Sequence, residues 1–169
     1  MKKFNSTKQT EELQSEIKCL SIISEFYGKK YTLEHLLELA SRIDTEDTQT
    51  AITTVAGLLG FHTITGYLSI DKLSKVTLPC ILLWNNSFYV VLHRIKRNRF
   101  YIVDPNAGKH KYKETDIVEH WINECAYGRN KGFVIFIKPT AEFQKEINDR
   151  IVNNSFLKII QKWILRLFK

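Results

Sequence analysis

Cysteine is scarce in this chain. Three occur, Cys19, Cys80 and Cys125, and no CxxC pair is among them. An odd, widely spaced set is neither a disulfide framework nor a zinc site, and it points to a reducing, cytosolic setting. Seven glycines and three prolines exclude collagen-like and proline-rich linker character. No stretch reaches the roughly 18 apolar residues that a spanning helix needs, so the sequence predicts a soluble body. Met1-Lys2-Lys3-Phe4-Asn5 carries the cations of a signal peptide without the apolar run that should follow them. No GxxxxGKS/T motif occurs, so a nucleotide site would have to lie on another segment or subunit.

What is present fits one packed domain. The 169 residues are 44% hydrophobic and 25% charged, which argues against disorder. The formal net charge is +7, and its distribution matters more than its size. Residues 151–169 hold four cations and no acid, leaving about +3 on the first 150 residues. A nucleic-acid groove through the main body is therefore not expected. Neither a metal nor a cofactor is expected either.

The apolar period changes once along the chain. Ile17, Leu20, Ile23 and Tyr27 recur at helical spacing over Ser15 to Tyr27, and Gly28 should end that helix. Thr32 is a candidate N-cap for a helix over Leu33 to Ala40, and a third fits Thr48 to Leu59 before Gly60. From Phe61 the period falls to two. Strands are predicted over Phe61 to Leu68, Cys80 to Trp84, Phe88 to Lys96, Arg99 to Val103, Lys109 to Lys113 and Gly132 to Ile137, with a helix over Glu114 to Asn123. The pair before Asp104-Pro105-Asn106-Ala107-Gly108 reads as a hairpin turning at Lys96-Arg97-Asn98. Helices followed by an antiparallel sheet make an α+β layout.

The last residues form a separate pattern. Lys158, Lys162, Arg166 and Lys169 are spaced by four, four and three, while Trp163, Phe168 and the aliphatic residues around them take the other helical face. Charge segregation with an aromatic anchor suits a helix lying in the interface of an anionic membrane. Packing on the domain or on a partner helix is the plainer alternative. The expected division is a domain over 1–143 and a basic amphipathic helix over 144–169.

A cysteine or serine hydrolase needs a nucleophile, a base and a group that orients the base. The residues available are Ser15 at the start of the first predicted helix, Asp104, and the histidines at 35, 62, 93, 110 and 120. A helix N-terminus stabilises an anionic nucleophile or oxyanion through its dipole and free N–H groups. Gln9, six residues earlier, offers an amide donor.

In this order and spacing, Gln9 through Gly28, GLLGFHTITGYL, LPCILLWNNSFYVVL, FYIVDPNAG and HWI resemble the double-glycine-leader cysteine peptidase domain of bacteriocin-type ABC exporters. The resemblance covers roughly residues 5 to 143 and implies a papain-like fold. It places Gln9 at the family's oxyanion glutamine and Asp104 at the acid that orients the imidazole. The nucleophile position is held by Ser15, however, and Cys19 matches only the second, non-catalytic cysteine. Glu16 replaces the glycine that follows the nucleophile, and Phe88 stands at the histidine position.

A serine hydroxyl without a base is a poor nucleophile, and phenylalanine accepts no proton. His93 lies five residues beyond Phe88 on one strand, so a period of two turns it to the opposite face. The resemblance therefore implies a degenerate, inactive copy. It would dock a leader peptide or unfolded secreted protein for the membrane and ATPase domains of an ABC transporter, at the cytoplasmic face of the bacterial membrane. Phe88, Trp84 and Tyr89 are candidate substrate contacts. Lys158, Lys162, Trp163, Arg166 and Phe168 are candidate membrane or partner contacts. Two alternatives stand beside this reading: an active leader peptidase using a non-standard dyad, and a membrane-surface interaction protein. Asp104 also has a purely structural reading as the first residue of an Asp-Pro turn.

Overall fold

The computed structural model describes residues 6–45, 47–122, 124–126 and 129–149. Helix α1 runs from Ser6 to Phe26, α2 from Leu33 to Ser41 and α3 from Thr48 to Leu58. Then come β1 (Phe61–Leu68), the single turn α4 (Ile70–Leu73), β2 (Cys80–Trp84), β3 (Phe88–Lys96), β4 (Arg99–Asp104) and β5 (Gly108–Lys113). Helix α5 (Glu114–Trp121), β6 (Glu124–Ala126) and β7 (Arg129–Pro139) follow, and a last helix, α6, covers residues 141–149. Six strands lie in the order β1-β7-β2-β3-β4-β5, and β6 pairs with the start of β7. Every pairing is antiparallel.

The helices are set where local chemistry starts and stops them. Thr32 caps α2 through its hydroxyl on the His35 amide, and Asp47 caps α3 through its carboxylate on the Thr50 amide. Gly28 takes a left-handed φ of 92° just after α1, a conformation that glycine adopts at little cost. The β3–β4 connection is a two-residue turn in which Arg97 and Asn98 both have positive φ, as a tight hairpin with right-handed strands requires.

Apolar residues fill both faces of the sheet. On one face Ile17, Leu20 and Ile23 of α1 meet Ile81, Val91 and Ile135, with α2, α3 and Phe143 of α6 closing the layer. On the other, Leu73, Ile117 and Trp121 cover Leu82, Val90 and Ile102. Each buried aliphatic side chain of this kind contributes about 1.5–3 kcal/mol. Alternation along β3 sends Tyr89 and Val91 to the α1 face and Val90 and Leu92 to the other.

Several expectations are corrected. Helix α1 begins at Ser6, nine residues before Ser15. Residues 6–13 carry few apolar side chains, so the hydrophobic period was silent where the backbone is helical. Strand β7 begins at Arg129 and ends at Pro139, because β1 pairs with it as far as Phe61↔Pro139. The turn α4, the short β6 and α6 have too few residues or too little period to be foreseen. Helix α6 crosses the expected domain boundary at 143. Phe143 is buried, Ile147 packs on the same cluster, and Lys29 binds Glu146. The basic pattern of Lys158, Lys162, Trp163, Arg166 and Phe168 lies outside the described residues. No helix among the described residues is long and apolar enough to cross a membrane.

Gly132 shows how tight the second layer is. A Cβ there would overlap the indole of Trp121, which is fully buried and donates its Nε1 hydrogen to the Phe133 carbonyl at 2.8 Å. Gly132→Ala is expected to lower the unfolding free energy by about 1–3 kcal/mol through overpacking, read as a shifted midpoint in urea denaturation.

Candidate functional site

The packing of α1 on β3 determines where Ser15 sits. Ser15 is 4% exposed and Glu16 likewise, one turn before Cys19, whose thiol donates to the Tyr89 carbonyl at 3.4 Å. Ser15 lies well inside α1, so its amide belongs to the helical ladder instead of a free N-terminus. The dipole argument made for an N-terminal Ser15 therefore does not apply. Gln9 is on the same continuous helix, which sets its backbone about 9 Å from that of Ser15 along the axis. The Gln9 side chain lies outside the described residues.

The partner of the Ser15 hydroxyl is Asn106. The Asn106 amide nitrogen donates to Ser15 Oγ at 3.3 Å, and the Asn106 side-chain oxygen accepts from Lys18 Nζ at 3.0 Å. Asp104 organises the same loop. Its Oδ1 accepts the backbone N–H of Asn106 at 2.8 Å and of Ala107 at 3.1 Å, an Asx-type turn. Asp104 thus supports the loop that carries Asn106, in line with the structural reading of the Asp-Pro step. Sequence reasoning missed Asn106 and Lys18. An Asn two residues after an Asp-Pro turn signals only a turn, and nothing local says that it reaches a residue 91 positions earlier.

The remaining candidates are dispersed. Phe88 is half-buried, pairs with Trp84 at the end of the β2–β3 hairpin, and packs into the layer opposite α1. Trp84 is buried in that same layer, stacked on His120 with ring centroids 5.2 Å apart. Tyr89 is 7% exposed and belongs to the α1 face. The three aromatics expected to contact substrate are therefore split between two faces and do not form one platform.

Among the described residues no histidine is hydrogen-bonded to Ser15. His93 sits in a β-bulge where the β3–β4 register slips between Leu92 and Arg94, and its ring meets Tyr101 edge-on. The bulge breaks the period of two on which the expectation for His93 rested: the ring lies with Tyr101, on the side of the sheet opposite the layer that holds Phe88. His120 is tied to Asn85, its Nδ1 2.9 Å from the Asn85 side-chain oxygen. His110 lies against Tyr112, His35 stacks on Tyr31, and His62 lines a cavity of about 330 Å³ with Ile64, Val76 and Phe136. Among the described residues, no group of three or more His, Cys, Asp or Glu side chains could hold a metal ion.

Electrostatics agree with a closed interior. Burial, then the Glu16 and Asp104 carboxylates, push the Cys19 thiol well above its ordinary range. Burial does the same to Cys80. The Tyr89 phenol is raised by burial and next by Glu16. Burial, together with Lys109 and Arg94, holds the His93 imidazole below its ordinary value. Cys125 has its side chain outside the described residues.

The family model for the peptidase C39 family matches residues 3–131. The chain belongs to the peptidase C39 family. It is 29% identical over 153 residues to the colicin V secretion/processing ATP-binding protein CvaB of Escherichia coli, a match covering 90% of this chain and 21% of that one. It is 28% identical over 138 residues to the probable microcin-H47 secretion/processing ATP-binding protein MchF of the same organism, covering 82% and 18%. The chain thus spans about a fifth of the length of these relatives. A double glycine motif protease from an AMS/PCAT transporter, solved with its leader peptide, superposes with a TM-score of 0.62 at 24% identity over 76% of this chain and 86% of that one. The peptidase domain of Streptococcus ComA gives 0.60 at 21% identity over 75% and 92%. These likenesses establish the papain-like C39 fold.

Three outcomes check this electrostatic description. Cys19 and Cys80 should resist iodoacetamide in the folded C39 domain and react only after denaturation, as read by mass spectrometry. The His93 ring should titrate below the unperturbed imidazole value of about 6.5 in an NMR pH series. The unfolded chain then binds more protons than the native one as pH falls through that value, so this contribution to stability is present at neutral pH and lost on acidification. His93→Gln should accordingly lose less stability than the parent between about pH 7 and pH 5.

Proposed function

We propose that this C39 domain is catalytically inactive and docks a leader-bearing peptide or unfolded protein for export by an ABC transporter. One observation carries the reading. The Ser15 hydroxyl is held by the Asn106 amide, whose oxygen is in turn taken by Lys18. Attack by a serine requires a base to remove its proton as the new bond forms. An amide nitrogen is a donor and an ammonium has no lone pair, so this chain of contacts contains no such base. Phe88, at the position the resemblance gives to histidine, supplies none either.

The degenerate site would leave binding as the remaining task. Relatives named as secretion and processing ATP-binding proteins point to cargo delivered to a transporter, and a structural neighbour was solved with a leader peptide. The basic residues after 150 would keep the domain at the membrane beside the translocating part, on its cytoplasmic side.

Incubation of the full chain with a double-glycine leader peptide tests both halves of this reading. Fluorescence polarisation should show saturable binding, and chromatography should show intact peptide. Ser15→Ala should bind as the parent does. Ser15→Cys alone should remain inactive, because among the described residues position 15 meets Asn106 and no histidine that could take the thiol proton. Cleavage by the parent that disappears in Ser15→Ala would overturn the inactive reading, and absence of binding at high micromolar peptide would overturn the docking role.

A further inference from the structure

The near-neutral charge of the body conceals a strong segregation. Residues 94–113 hold seven cations and one acid, whereas the rest of residues 1–150 hold 14 cations and 17 acids. The sheet gathers those cations. Register sets Arg94 opposite Tyr101 and Lys96 opposite Arg99 on one side of β4. On its other side Lys109, Lys111 and Lys113 oppose Val103, Tyr101 and Arg99. Directly opposed residues project from the same face, so all six cations share one face with Tyr101. Arg94 and Lys111 flank the Tyr101 ring, 5.5 and 5.8 Å from its centroid. Arg99 is half-buried and the other five are exposed.

The bulge at Leu92/Arg94 makes this face. Val91 and Val103 form a regular pair, and strict alternation from Val91 would turn Arg94 and Lys96 to the opposite layer. The extra residue, His93, returns both to the side of Tyr101. Three nearby acids are engaged elsewhere. Glu25 is 2.8 Å from Lys30, Asp116 accepts the Lys113 amide at the start of α5, and Asp104 holds its own loop.

The patch lies on three adjacent strands, about 4.8 Å apart, and its cations surround the half-buried Tyr101 of the middle strand instead of converging on one point. That layout matches a broad sheet of negative charge better than a single small anion. Its place in the fold agrees. The β3–β4 turn, which adds Arg97, projects from the end of the sheet where β7 finishes opposite Phe61. There the chain passes into α6, whose Ile147 lies against Gly28, and the acid-free residues 151–169 follow. We infer that this β3–β4–β5 face is a contact surface for the headgroups of anionic phospholipids. It is distinct from the cargo-docking role and does not depend on it.

Vesicle flotation of the full chain is the test, using phosphatidylcholine vesicles with and without phosphatidylglycerol at about 0.1 M salt. The substitution set R94Q/K111Q/K113Q is made in the parent and in a K158Q/K162Q/R166Q background, which separates the patch from the C-terminal cations. In both backgrounds it should weaken partitioning to phosphatidylglycerol vesicles roughly a hundredfold and flatten the salt dependence, with the unfolding midpoint unchanged. Flotation equal to that of the corresponding parent would overturn the inference. So would patch substitutions that abolish binding to a DNA oligonucleotide or an acidic peptide while leaving flotation intact.

Discussion

The seating of α1 on the middle of β3 is the contact on which the rest of this structure depends. Ile17, Leu20 and Ile23 are fully removed from water against the sheet, and the Cys19 thiol closes on the Tyr89 carbonyl. Removal of that much apolar surface from water is the dominant favourable term in folding. Once the helix is anchored this way, Ser15 and Glu16 have no freedom of placement. Ser15 is carried to the Asp104–Gly108 loop, where Asn106 meets it, and Glu16 is buried beside it.

That placement underlies the proposal that Ser15 is structural. A working serine site needs its hydroxyl accessible, its base within hydrogen-bond reach and its oxyanion donors aimed at one point. Here the hydroxyl is buried, its neighbour is an amide, and the position expected for the oxyanion donor is further back on the same helix. The same interior raises the Cys19 thiol and the Tyr89 phenol, the opposite of what an activated group shows. Charge that the interior does not tolerate is pushed outward, and the β3–β5 hairpins collect it around Tyr101.

Much of the fold was legible in the sequence because it is written in local periods. The strands Phe61–Leu68, Cys80–Trp84 and Phe88–Lys96 emerge at their expected bounds, since alternation of apolar and polar residues directly encodes two-sided strands. Helix α2 begins where Thr32 could cap it, and α3 begins at the expected Thr48. Helix α1 was underestimated because its first two turns carry polar side chains without a buried stripe. The site was legible only in part. Ser15 and Asp104 do come together, through Asn106, whereas Phe88 packs in the other layer.

What the sequence by itself determined is therefore the set of elements, their order, the C39 resemblance, and that Ser15 and Phe88 stand where that resemblance implies a thiol and an imidazole. Tertiary structure alone decided which side chains meet. Asn106 reaches Ser15 across 91 residues, the aromatics at 84, 88 and 89 divide between two layers, and one inserted residue in β3 turns Arg94 and Lys96 toward Lys111 and Lys113. Such outcomes depend on register and on the packing of distant segments, and a local period carries no information about either.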